Sequence, residues 1–171
     1  MEKEKVKKIS KIIKFIFIIL CVLCIIGIVA FPIITINNNG YVKILESNIN
    51  LLITNLIIYI TSIPALLLLI EFVKLFSKLE KNEIFNQNNI KYLKRSSIYG
   101  YIIGALYILG FITFTIMIIQ NQGVGLGLFS IVDFFILVIA IIFIIIGTGL
   151  KFLSKIYKEA VENKEENDLT I

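Results

Sequence analysis

The sequence contains no histidine and no tryptophan, and only two prolines and two cysteines. Without histidine, the commonest metal ligand and the usual general base near neutral pH are both missing. Two thiols do not complete a four-ligand structural zinc site, and an apolar stretch supplies no other ligands. Cys21 and Cys24 lie inside such a stretch and read as small apolar residues. A redox pair would need a polar, accessible setting in which a thiol can ionise. Charge is scarce too: 17 % of residues are charged, against about 25 % in ordinary domains.

Apolar residues make up the difference. Of 171 residues, 58 % are hydrophobic, and the mean hydropathy is +0.93. A soluble domain this short leaves too much of its surface wet to hide that much apolar area. Disorder requires the opposite composition. The composition therefore implies an integral membrane protein.

The apolar residues fall into four runs, 15–36, 51–70, 98–119 and 128–147, of which only the last contains a charge, Asp133. About 20 residues of helix cross a hydrocarbon core of about 30 Å. Open strand edges would be unsatisfied in lipid, so helix is the expected backbone. The expected fold is an all-α, four-span membrane domain covering 1–171. The first run follows six lysines but is longer than the apolar core of a signal peptide, about 7–15 residues. No small-x-small cleavage pattern follows it, so it reads as an uncleaved anchor.

Charge sets the expected orientation. Segments 1–14, 71–97 and 148–171 hold sixteen of the seventeen basic residues, and segments 37–50 and 120–127 hold only Lys43. Positive charge is retained in the cytoplasm, which predicts both termini and the middle loop inside. The net charge of +5 thus reads as attraction to anionic headgroups rather than as nucleic-acid binding.

Several polar or small residues stand out within the runs. Pro64, after Thr61 and Ser62, reads as a static kink, with a hinge as the alternative. Pro32 is expected to end regular helix in the first span. Asn55 and Asp133 are the intramembrane polar candidates. Asp133 lies near the expected outer boundary and is read either as an interfacial acid or as a proton or cation site. Gly100 and Gly104, followed by Ala105, allow close helix approach within the bundle or between two copies. Gly123, Gly125 and Gly127 form an outer turn; a phosphate-binding loop would need a preceding strand.

Outside the runs, Phe72, Leu75, Phe76 and Leu79 share one helical face, which extends span two as an amphipathic helix. Asn86 is an expected N-cap for a helix that carries Ile90 and Leu93 into span three. The tail shows Leu153, Ile156 and Ala160 on one face and is expected to fray near Asn163. It then ends in an acidic stretch closing with Leu169, Thr170 and Ile171, a terminus suited to a partner.

Glu-Asn-Asp-Leu-Thr-Ile at 166–171, and the segment from Leu79 through Asn82, Glu83, Ile84, Phe85, Asn89 and Leu93 to Arg95, resemble the bacterial domain-of-unknown-function family 2975. Its members typically carry Thr or Ser after the Phe and Glu before the Asn. Here Asn86 and Asn88 stand at those places, which keeps an N-cap and loses an acidic first turn. The resemblance implies a small four-span membrane protein, often encoded beside a helix-turn-helix transcription regulator. It brings no catalytic residues.

The expected function is therefore that of a regulatory or adaptor protein of the bacterial cell membrane, touching a soluble cytoplasmic partner such as that regulator. The candidate contact residues are Phe85, Asn89, Leu93, Arg95, Asp168, Leu169, Thr170 and Ile171. A small transporter or channel subunit is the alternative. An enzyme is not expected, because the sequence has no His, no convergent acid pair within the spans and no metal set. No cofactor and no direct nucleic-acid contact are expected. Lipid is an expected partner, and a second copy a possible one.

Overall fold

The computed structural model describes the backbone of residues 2–47, 49–120 and 126–169, and the side chains of residues 4–30, 56–57, 59–116, 119 and 131–167. Four helices account for all of the regular structure described: α1 (Glu2–Ser47), α2 (Ile49–Glu80), α3 (Gln87–Gln120) and α4 (Leu126–Leu169). Each is long and apolar enough to cross a membrane. Lipid offers no hydrogen-bond partners, so a helix that satisfies its own backbone is the stable form for these runs.

Two helices extend well past their apolar runs. α1 has 46 residues and α4 has 44, each more than about 60 Å long at about 1.5 Å per residue. α1 continues past the expected stop at Pro32 and through most of the expected outer loop 37–50. Of the outer glycine turn, Gly123 and Gly125 lie outside the described residues, and Gly127 already belongs to α4. The expected fraying at Asn163 does not occur, since α4 stays helical to Leu169. α2 also runs through Pro64 without interruption. Just before the proline, the Thr61 hydroxyl donates to the Ile57 carbonyl at 2.7 Å and the Ser62 hydroxyl to Tyr59 at 2.5 Å.

The helices pack in chain order. α1 lies on α2, α2 on α3 and α3 on α4, and no other pair is in contact among the described residues. They form an open row rather than a closed bundle. Lys14 pairs with Glu80, and Gln87 donates to Glu165 at 3.3 Å. The α1 N-terminal segment, the α2–α3 turn and the end of α4 therefore lie at one end of the row. This basic end carries Lys7, Lys11, Lys14, Lys78 and Lys91.

The α3–α4 seam is built on small residues. A Cβ added to Gly100 would stand 3.1 Å from the Gly147 Cα, and one added to Gly104 would stand 2.7 Å from an Ile144 side-chain carbon. Gly100, Gly104 and Gly147 are all buried. The Ser97 hydroxyl, also buried, donates to the Gly147 carbonyl at 2.8 Å. The glycine pair thus brings α3 against α4 within one chain. Closer to the basic end, Leu75, Leu93 and Leu150 form a core joining α2, α3 and α4, with Phe72, Leu79, Tyr92 and Tyr157 packed on it. α1 is held there by Phe17, stacked on Phe72 at 5.0 Å and on Phe76 at 5.7 Å.

Candidate functional site

The α2–α3 turn is closed at both ends by its own side chains. Asn82 takes a left-handed conformation with φ of 60°, which asparagine tolerates better than most residues. The Glu83 N–H then donates to the Lys78 carbonyl at 3.0 Å and the Asn82 N–H to the Leu79 carbonyl at 3.0 Å. This pair of bonds is the Schellman closure of a helix C-terminus. An apolar contact commonly accompanies that closure; here Lys78 instead donates to the Glu83 carboxylate at 2.8 Å. Asn86 adds a second bond to the same oxygen at 3.0 Å. The Lys78 contact holds the Glu83 carboxyl below the usual carboxylate range, with Asn86 and Lys81 adding to the effect.

α3 starts as the sequence suggests. The Asn88 N–H donates to the Asn86 Oδ1 at 2.9 Å, so Asn86 is the N-cap. Asn89 closes the turn from within. It is fully buried, and its amide donates to the carbonyls of Glu83 and Ile84 at 2.8 and 2.9 Å.

The tail packs against this turn. Lys164 stands 5.7 Å from the centre of the Phe85 ring, and Glu165 accepts from Gln87. Between the two helices lies a cavity of about 230 Å³, lined by Gln87, Ile90, Lys91, Lys158, Val161 and Glu162. These contacts, with Val161 only 4 % exposed, explain why α4 stays helical beyond Asn163. They also revise the face expected to be apolar. Tyr157, Ala160 and Val161 are partly or fully buried, while Leu153 and Ile156 are exposed.

The candidate contact residues therefore separate. Asn89 and Leu93 lie inside the chain and shape the turn and the core, so they are not available to a partner. Phe85 is 51 % exposed. Arg95 is exposed and directed to Glu71 at 3.8 Å. Asp168 and Leu169 are helical, but their side chains, like Thr170 and Ile171 altogether, lie outside the described residues.

Within the spans, Asp133 is buried, at 8 % exposure. The Thr115 hydroxyl lies 2.7 Å from its Oδ2 and 2.9 Å from the Phe111 carbonyl. One hydroxyl proton faces two acceptors. Among the described residues, the Asp133 Oδ1 has no partner. Asp133 thus faces α3 rather than the open surface of α4. The Asn55 side chain lies outside the described residues.

Sequence reasoning passes over one further buried acid. Glu71, the residue after the second apolar run, is 5 % exposed. Its Oε1 meets Lys74 at 2.9 Å and Arg95 at 3.8 Å, while its Oε2 has no partner among the described residues. The available signal was an acid at the edge of an apolar run with lysine three residues on, a pairing that also occurs on ordinary exposed helices. Among the described residues, no group of three or more His, Cys, Asp or Glu side chains could hold a metal ion.

A four-helix membrane protein with a self-closed turn and a docked tail is what these features define. The chain belongs to the family described as "Protein of unknown function (DUF2975)", which it matches over residues 37–171. It is also similar to a Bacillus subtilis (strain 168) protein named "Uncharacterized membrane protein YoaS". The two are 29 % identical over 114 residues, covering 67 % of this chain and 68 % of the relative. No solved structure matches. The family match leaves out most of α1, the helix that among the described residues touches only α2.

Proposed function

We propose that the chain is an adaptor of the bacterial plasma membrane that contacts a soluble cytoplasmic partner, such as a helix-turn-helix transcription regulator, through its basic end. The observation that carries this reading is the meeting of turn and tail. Phe85 and Lys164 form one surface, with half of the aromatic ring left open. Outside the apolar runs, an open aromatic ring beside a cation can serve as an anchor in an interface. The sixteen-to-one distribution of basic residues supports placing this end in the cytoplasm. The regulator would contact DNA and the chain would contact the regulator. A second copy would have to use a face other than the glycine seam, which α4 already fills.

The test is affinity capture with the protein in detergent and a purified helix-turn-helix regulator of the kind that the family resemblance implies beside its gene. Capture by the wild type, with loss on deleting 163–171 and on Phe85→Ala, is expected. Equal capture by wild type and both variants would remove the turn and tail from the interface; no capture by any would remove the regulator.

Asp133 favours a second reading, a small transporter or channel subunit. Buried acids in spans commonly mark ion or proton pathways, and the unpaired Oδ1 would be the contact point. Proton or cation flux into vesicles that fell in Asp133→Asn would support it, and unchanged flux would set it aside.

A further inference from the structure

Glu71, Lys74 and Arg95 come from two helices and meet at one carboxylate oxygen. Glu71 is buried, while the side chains of Lys74 and Arg95 are 44 % and 58 % exposed. Both cations approach the same Oε1, which places them close enough for a single phosphate to bridge. The carboxylate cancels one of the two charges, so the cluster keeps a net positive charge. It stands directly after Ile70, where the apolar run ends, which is where a span of that length would reach the headgroups.

The surface leading away from the cluster is apolar on both helices. On α2, Ile63 and Leu67 share the face of Lys74, at spacings of four and seven. On α3, Ile98 and Ile102 share the face of Arg95, at spacings of three and four. All four are exposed. The α2–α3 register is set at one end by Arg95 on Glu71 and at the other by Ile57 against Gly110. The two stripes therefore run side by side into the membrane from one pair of cations.

We propose that Lys74 and Arg95, held by Glu71, bind the headgroup phosphate of an anionic phospholipid whose acyl chains lie along Ile63, Leu67, Ile98 and Ile102. Arginine suits this role because its planar donor fork matches phosphate oxygens, and lysine supplies a point charge. Glu71 is the positioning residue, since it brings cations from two helices together without occupying their outer side. The site goes beyond the adaptor reading and does not depend on it.

The test uses the full chain reconstituted in phosphatidylcholine vesicles with spin-labelled phosphatidylglycerol or spin-labelled phosphatidylcholine as probe. The wild type should prefer phosphatidylglycerol. Lys74→Gln and Arg95→Gln should each lower that preference about fivefold, the effect of one basic residue near a surface. Lys91→Gln removes the same charge from an exposed position on α3 outside the cluster and should lower the preference clearly less than either, and Lys74→Arg should retain it. Helical circular dichroism checks that each variant is folded. An equal loss in Lys91→Gln would mean a diffuse basic field and would overturn the site. So would an absence of preference in the wild type, and full displacement of the probe by millimolar inorganic phosphate would reassign the cluster to free phosphate.

Discussion

Asn82 illustrates how one residue's backbone preference decides a chain reversal. Its φ of 60° lets α2 end in two closing bonds rather than in stranded carbonyls. Asn82→Gly should therefore be tolerated, while Asn82→Val should cost about 1–2 kcal/mol, because a β-branched side chain is far less tolerant of the left-handed region than asparagine. Unfolding in mixed detergent, followed by circular dichroism, reads the difference. Glu83 adds a pH dependence to the same turn. Its carboxyl is held below its ordinary value of 4.5, first by Lys78. Its contribution is therefore complete above that value and is lost as the pH falls through the lower, folded one. Between pH 6 and pH 3 the wild type should lose more stability than Glu83→Gln. Thr115 presents a smaller case. Thr115→Val leaves Asp133 with no partner and should cost about 0.6 kcal/mol and no more than about 1.7, the range of hydrogen bonds between membrane helices. A larger loss would mean that the pair organises the α3–α4 contact. Of these residues, Asn86 was legible as an N-cap because capping is local. The burial of Asn89 was not legible, because it depends on where the carbonyls of Glu83 and Ile84 point.

The row of helices explains which sequence patterns could be read and which could not. The four apolar runs are local and correspond to α1–α4, because lipid imposes helix wherever a run is long enough. The helix limits depart from expectation at the C-terminal ends of α1 and α4. Polar residues there suggest breaks, yet helix continues through 37–47 and through 163–169. For α4 the reason is tertiary, since Val161, Lys164 and Glu165 find partners on the turn and on α3. The glycine pair was legible as a close-packing pattern, whereas its partner required the structure. Gly100 lies 3.1 Å, measured from a hypothetical Cβ, from the backbone of Gly147. Backbone cannot yield as a side-chain end can. Gly100→Ala should push α3 from α4 and cost about 1–3 kcal/mol, as overpacking does. Gly27 faces open space, so Gly27→Ala serves as the control: it gains only alanine's helix preference, about 0.5–1 kcal/mol, and should not lower the unfolding midpoint.

At the scale of the molecule, the antiparallel register brings the α1 N-terminal segment, the α2–α3 turn and the end of α4 to one side. Single cysteines at Asn88 and Asn163, in a background of Cys21→Ala and Cys24→Ala, should react with an impermeant maleimide from the same side. In intact cells neither should react until the membrane is opened, if the basic end is cytoplasmic. Labelling of one and not the other would break the four-span arrangement. The sequence by itself determined that the chain is a membrane protein, that it has four helical segments and that its positive charge is concentrated on one side. Those properties follow from residue-by-residue transfer energies and local hydrogen bonding. Only the tertiary structure decided that the helices form an open row, that the glycine seam is filled by α4, and that Asn89 and Leu93 face inward. It also decided that Glu71 joins Lys74 to Arg95. Each of these depends on which faces meet across segments far apart in the chain, and an apolar run that is hydrophobic all round does not encode which face is turned to lipid and which to a neighbour.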